Sequence, residues 1–510
     1  MPLRRQEVAT VNKRKIMDQL FEQKVVILFV ILCVLTIIAS KQPLTFVANE
    51  LFTRIARNSF LVLALIIPVL AGMGLNFGIV IGAMAAQIAV FLTTHWGFVG
   101  IGGFLLTALL ATPMAVFFGF LVGKLFNKAK GSEMICGLVL GYFADGLYQL
   151  LFLFIFGGVI PINNPKLMIA TGVGVKNTID LKDTIKYSMD TVPMLTIVEI
   201  GFYIVVAAIV LSALIKLIQK QPINWKKSLI SLVVAGAVYA VTFIPAVESF
   251  LAAGRLLLLW AVELWIAIVL VWQIAKFLWL KVIRKEDVNV KRTLAICVAA
   301  VLVYAITYIP AVYEILIYVR LPVMTYLCIA GLCLFNTVLM RTRLGQNMRT
   351  VGQSRVVANA AGINVDRTRI TAMIFSTVLA SWGQLIFLQN VGTFSTYGAH
   401  TQVGQFAIAA LLVGGASVQK ATNKQAILGV VLFHTLFIVA PLAGKELFGN
   451  AMIGEYFRVF VSYGVIALAL AMHAWKKVAK VGPSTEFAPA PAGALGGGSS
   501  ASAASGGTAG

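Results

Sequence analysis

Long apolar runs alternate with short polar connectors along almost the whole chain. Fourteen runs can be marked, at 24–40, 58–74, 78–94, 98–123, 134–157, 194–215, 228–247, 255–280, 293–313, 321–340, 370–391, 404–418, 425–442 and 456–475. A helix needs roughly 20 apolar residues to cross a hydrocarbon core of about 30 Å, and most of these runs approach that length. Backbone polar groups in lipid must be satisfied within the segment, so the runs predict helices. The ten-residue alternation of a barrel strand is absent from the pattern. The expected fold is all-α, a polytopic transmembrane bundle of about 10–14 segments, some short or broken.

Two runs carry internal breaks. Within 58–94, Pro68 and then Gly72-Met-Gly-Leu-Asn-Phe-Gly78 interrupt the apolar sequence, and the run 404–418 holds Gly414-Gly415 near its end. Half-helices around a pathway and kinked, tightly packed helices both fit such breaks. A repeat is also present. Tyr239-Ala-Val-Thr-Phe-Ile-Pro-Ala-Val247 returns as Tyr304-Ala-Ile-Thr-Tyr-Ile-Pro-Ala-Val312, 65 residues later. Both copies run in the same direction, which predicts a duplicated helical hairpin within 195–320 with a proline kink in each copy. From 481 onward Gly, Ser, Ala and Pro dominate, so 481–510 is expected to be a disordered tail. The remaining limits are a polar N-terminal segment 1–23 and a membrane domain 24–480.

Charge adds a direction to this picture. The net charge is +22, yet only 12% of residues are charged, half the share of a soluble domain. With fourteen spans, 28 of the 41 Lys and Arg residues fall on the side of the N-terminus and 9 on the other. That bias predicts both termini in the cytoplasm and makes the basic charge a topology signal and a lipid contact, with no nucleic-acid partner implied. The five cysteines (33, 136, 297, 328, 333) lie in apolar runs, without metal spacing or a disulfide pattern. The first run lacks a clear cleavage site and is expected to be retained.

Enzyme chemistry finds no support. There is no G-x-x-x-x-G-K-[ST] phosphate loop, and the four histidines (95, 400, 434, 473) form no metal motif. Polar side chains inside apolar runs are the next candidates, because a charge at membrane depth usually faces a partner or a cavity. Asn76, Gln87, Asp145, Gln149, Gln384 and Asn390 are the pathway candidates, with Glu263, Gln389 and His434 in similar positions. Asp145 and Gln149 share a helix face at i, i+4. Amides suit a neutral, hydroxyl-rich solute. Interhelical hydrogen bonding explains each residue equally well when taken alone.

The most ordered polar stretch is 340–370, MRTRLGQNMRTVGQSRVVANAAGINVDRTRI. It carries six arginines and one acid, Asp366. A bare cytoplasmic loop and a docking helix both fit. As a helix, 346–361 would place Met348, Val351 and Val356/Val357 toward one side and end at Gly362. The small residues 358, 360 and 361 would let a second protein's backbone approach.

These residues resemble the cytoplasmic coupling loop of bacterial ABC importer permeases that carry ribose-type sugars, nucleosides and branched-chain amino acids. The matching positions include Arg341, Arg343, Gly345, Arg349, Gly352, Ala358, Ala361, Gly362, Ile363, Asn364, Val365 and Arg367. Leu75-Asn-Phe-Gly78, Gly131-Ser-Glu-Met-Ile135 and Leu412-Val-Gly-Gly415 are similar to other family segments, so the likeness covers about 59–160 and 320–475. Departures occur at Ile79-Val80, where the family has Glu-Gly, at Ser132 in place of Asn, and at Thr377–Gln384, where the family's run is richer in glycine. The resemblance implies a permease in the bacterial cytoplasmic membrane. It would work with a second permease subunit, a cytoplasmic ATPase that binds ATP and Mg, and an external solute-binding protein. Gly345, Arg349, Gly352, Arg355, Ala358, Ala361 and Gly362 would then meet the ATPase, and a simple sugar or nucleoside would be the solute. An ion-coupled transporter or channel acting without an ATPase is the alternative. No cofactor or metal is expected in this chain.

Overall fold

A computed structural model describes residues 23–460 except 130, 171–172, 220–224, 284–289 and 451, together with 463, 464, 467 and 471. The segments 1–22 and 481–510, and much of the run 456–475, lie outside the described residues. The helices are α1 Lys24–Ser40, α2 Leu44–Ala64, α3 Ile66–Leu70, α4 Ile79–His95, α5 Gly100–Lys128 and α6 Glu133–Leu150, the last continued by a π turn to Val159. Then come α7 Met194–Ile218, α8 Trp225–Ala240, α9 Pro245–Leu251, α10 Leu258–Leu278, α11 Val290–Ile306, α12 Pro310–Tyr318 and α13 Val323–Leu339. The series ends with α14 Arg343–Gln353, α15 Arg355–Ala360, α16 Val365–Val391, α17 Ala399–Val413 and α18 Asn423–Phe448. Among the described residues, seven helices are long and apolar enough to cross a membrane, or nine if each bent pair is one span. Four shorter apolar helices bring the set near the fourteen runs marked in the sequence.

One boundary differs clearly. The run expected at 58–74 belongs to a helix that starts at Leu44, so Arg54 and Arg57 lie within it and not in a connecting loop. Both charges have partners. Arg54 pairs with Glu50 at 3.2 Å and stands 4.9 Å from the Phe437 ring centre, and Arg57 donates to Asn390 Oδ1 at 2.9 Å. A helix can continue through charges that its neighbours satisfy.

Helix α16 is the centre of the bundle, packed against α5, α4 and α2. Small residues set these approaches, as expected where lipid supplies no hydrophobic drive between helices. Gly119 and Gly123 of α5, spaced G-x-x-x-G, face the backbone of Ile374 and Ile370; a Cβ there would lie 2.8 and 2.9 Å from their Cα atoms. Gly82 of α4 meets the Thr377 carbonyl in the same way. The break between α3 and α4 is built on Gly72 and Gly74, both left-handed at φ +74° and +71°, which residues with a Cβ rarely adopt.

The repeat proves larger than a hairpin. In each copy a helix ends, an extended Ile (Ile244, Ile309) follows, and proline opens the next helix at Pro245 and Pro310. Proline is favoured there because the first helical N–H has no partner to lose. The chain therefore turns sharply, by 85° in the second copy, where a kink within one helix was expected. The correspondence at an offset of 65 continues through strands β2 Arg255–Leu257 and β3 Arg320–Pro322 into α10 and α13. These strands pair antiparallel with Leu256 opposite Leu321, so equivalent residues meet across a local two-fold axis. A second strand pair joins β1 Thr178–Asp180 in the long connector 158–193 to β4 Thr393–Ser395 after α16.

Candidate functional site

Three of the six pathway candidates come together around a residue that the sequence did not single out. His400, near the start of α17, is fully buried, with Nε2 2.6 Å from Asp145 Oδ1 and Nδ1 2.9 Å from Gln87 Oε1. Gln149 donates to the other Asp145 oxygen at 3.0 Å. The Tyr148 ring stands 4.7 Å from the imidazole. Two hydrogen-bonding states satisfy this chain. An imidazolium can donate to both oxygens, or a neutral ring can donate to Asp145 while a turned Gln87 amide donates back to Nδ1. Asp145 remains part-exposed and opens into a cleft of about 530 Å³ whose walls include Tyr397, Thr401, Gln402, Gln405 and Tyr463. Burial raises the pKa of the Tyr397 phenol, which donates to the Val175 carbonyl at 2.8 Å.

The other three candidates sit elsewhere. Asn76, in the glycine break, reaches Met373 Sδ and Ser376 Oγ of α16, each at 3.3 Å. Gln384 is fully buried, and neither of its amide atoms bonds to a described protein group. Asn390 belongs to a separate node around Asp190, a residue of the long connector. Asp190 accepts from Asn390 at 2.6 Å, Gln389 at 2.9 Å and Thr325 at 2.6 Å. That node ties the connector to α13 and α16, and it leaves Gln389 Oε1 buried without a partner among the described residues. Glu263 is in α10, and His434 is buried in α18.

The polar island folds as two helices, where the sequence fits either a bare loop or one helix over 346–361. Thr342 caps α14, accepting from the Gly345 N–H at 3.3 Å. Ser354 leaves helical geometry (φ −156°, ψ 116°) to cap α15, accepting from the Val357 N–H at 3.3 Å. Serine competes for backbone donors in this way, which is why it starts helices more readily than it continues them. Gly362 is left-handed at φ +76°, the Ile363 N–H returns to the Ala358 carbonyl at 3.0 Å, and Asn364 caps α16.

The small residues divide into two groups. Gly345, Gly352 and Ala358 face inward. A Cβ on Gly352 would run into the Leu70 carbonyl, and one on Gly72 would lie 2.7 Å from the Gly352 Cα. The backbone that approaches Gly352 thus belongs to its own chain, at the break between α3 and α4, where a second protein had been expected. Arg355 is likewise turned inward. It and Arg369 of α16 (2.7 Å) both bond Glu133 Oε1 at the start of α6. Arg349, Ala361 and Gly362 stay exposed, joined by Val356 and Val357, which are 79% and 60% exposed. Val356 and Val357 are thus adjacent apolar side chains left uncovered on an otherwise polar element, open to a partner.

Comparison with known proteins agrees with this architecture. The family model for the branched-chain amino acid transport system permease component matches residues 200–470. The match takes in both copies of the repeat and the polar island, and it does not extend to 59–160. The nucleoside ABC transporter permease protein NupC of Lactococcus lactis subsp. cremoris (strain MG1363) is 31% identical over 143 residues, 28% of this chain. The chain spans 43% of the length of that relative. No solved structure matches. With its apolar helices, its glycine-broken α3–α4 pair and its folded polar island, the chain is a multi-pass protein of the bacterial cytoplasmic membrane and belongs to the branched-chain amino acid transport system permease family.

Proposed function

We propose that this chain is the membrane-spanning subunit of an ATP-binding cassette importer, and that a separate cytoplasmic ATPase drives it. The observation that carries this reading is the two-sided build of α14–α15. One side rests on the α3–α4 break and on α6; the other offers Val356, Val357, Ala361, Gly362 and Arg349 to a partner. A rigid element held between a docking face and a membrane break can pass a movement from one to the other, which coupling needs. In this reading the ATPase holds ATP and Mg, an external solute-binding protein delivers the solute, and a second permease subunit completes the pathway.

The solute enters through the cleft beside Asp145 and His400. A carboxylate, an imidazole and amides supply hydrogen bonds, and Tyr397 and Tyr463 supply ring faces. This chemistry suits a simple sugar or a nucleoside, and the named relative is a nucleoside permease. One observation favours a second reading: Asp145 and His400 form a titratable pair at membrane depth, as an ion-coupled transporter would use. Uptake into liposomes separates the two. The importer reading expects no uptake from this chain alone, and ATP-dependent uptake when the ATPase and solute-binding protein are added. Proton-driven uptake without an ATPase would replace it with the second reading.

A further inference from the structure

The same reading leaves open how a push on α14–α15 reaches Asp145. We infer that Glu133 is a charge latch that makes α6 the lever between the two sites. Glu133 is the first residue of α6, 7% exposed, and it is gripped by Arg355 of α15 and by the buried Arg369 of α16. Asp145 lies twelve residues further along the same helix, about 18 Å at 1.5 Å per residue.

Helix α6 is free to act as a lever. Its flank of Leu138, Val139, Tyr142 and Phe143 is exposed, whereas α16 is enclosed by its neighbours. Among the described residues its side-chain ties to the bundle are the arginines at one end and His400 along its length, and backbone bonds from Val175 and Gly174 meet only its π continuation. Behind it, toward α4 and α5, an apolar groove of about 440 Å³ lined by Ile81, Met84, Val122, Leu140 and Tyr148 leaves room for a tilt. Met134, the second residue of α6, also borders the glycine break, where a Cβ on Gly74 would lie 3.1 Å from its side chain. Arg369 ties Glu133 to the enclosed helix α16, and Arg355 belongs to the element that the ATPase would move. Displacing α15 therefore pulls the end of α6, and the opposite swing reaches the Asp145–His400 contact.

Arg355 is then a positioning residue, and its removal should slow turnover without altering solute recognition. The test compares Arg355→Gln and Arg355→Lys with wild type in liposomes holding the assembled complex. In Arg355→Gln the buried Arg369–Glu133 pair survives and the protein still folds. Its maximal uptake rate should fall by about tenfold, within the usual range of coupling effects, with KM unchanged and the ATPase still bound. Lysine, which keeps the charge, should restore at least half of the rate. Glu133→Gln combined with Arg355→Gln should lose no more than Glu133→Gln alone, because Arg355 acts through Glu133, whose neutralisation already breaks the Arg355 ion pair along with that to Arg369. Wild-type rates in Arg355→Gln, a loss explained by missing ATPase, or no recovery with lysine would each overturn the latch. Wild-type uptake that needs no ATPase would instead sink the importer reading on which the latch rests.

Discussion

The central helices and the duplicated region are both apolar, yet they solve different problems. In the windows that qualify Leu44–Leu70, Val365–Val391 and Asn423–Phe448 as spans, 78%, 61% and 72% of residues are buried in protein. For Met194–Ile218 and Leu258–Lys281 the figure is 6% each. The first group carries glycine, serine, asparagine, glutamine and arginine at its contacts; the second presents Ile, Val, Leu and Trp to its surroundings. In a bilayer an apolar side chain gains little by leaving lipid for protein, so small and polar residues mark where helices meet. The duplicated region therefore reads as a lipid-facing extension, its two copies joined to each other by the β2–β3 pair and held to the bundle where α12 and β3 meet α2.

Matched substitutions can break this contrast. Gly429→Leu should have the largest effect. Its Cβ would collide with the Ala410 carbonyl where α18 crosses α17, and backbone cannot yield as a side chain does. Overpacking typically costs about 1–3 kcal/mol, and more where backbone must move. The expected result is no monodisperse protein in size-exclusion chromatography. Gly352→Trp comes next. It should insert and purify, because α14 can lift away from Leu70, while uptake drops roughly 5–150-fold as coupling is lost. Normal uptake would remove α14 from the coupling route. Asp145→Ala and His400→Ala each delete one partner of a charge-assisted hydrogen bond worth about 1.5–3 kcal/mol. Both should raise the KM for solute by about 10–100-fold with the fold intact. A lowered melting temperature with unchanged KM would instead make the pair structural. Gly201→Leu in α7 should do least, since nothing lies within 4 Å of its Cβ position. Its effect on stability should stay within about 0.5 kcal/mol by thermal melting, as for other surface changes.

The sequence revealed the features that depend on neighbours in the chain. Charge-free runs gave most helices, Gly362 gave a helix end, and the 65-residue offset gave the repeat. It hid what depends on distant partners. The start of α2 was missed because Arg54 and Arg57 look like loop charges until Phe437 and Asn390 are placed beside them. His400 reads in the sequence only as one of four scattered histidines, because Gln87 and Asp145 are 313 and 255 residues away. Glu133 stood out as part of a motif, but its bond to Arg355 could not be read, so that arginine was assigned to a partner. The helix start at Ser354 is legible without its neighbours, since Ser before a helical run is a capping signal in its own right.

The β1–β4 pair has a consequence for biogenesis. Asp180 and Thr393 stand opposite each other in register, separated by 213 positions, and backbone bonds from Leu181 to Gly392, from Thr396 to Asn177 and from Tyr187 to Gln389 close the same seam. At about 5–20 residues per second, the connector waits on the order of 10–40 s for its other half to leave the ribosome. Six helices must be threaded into the membrane during that interval, α7, α8, α10, α11, α13 and α16. The seam can then close only after α16 is in place. Its closure, followed by pulse-labelling and protease resistance of the 158–193 segment, would date the moment at which a nascent chain becomes a finished one.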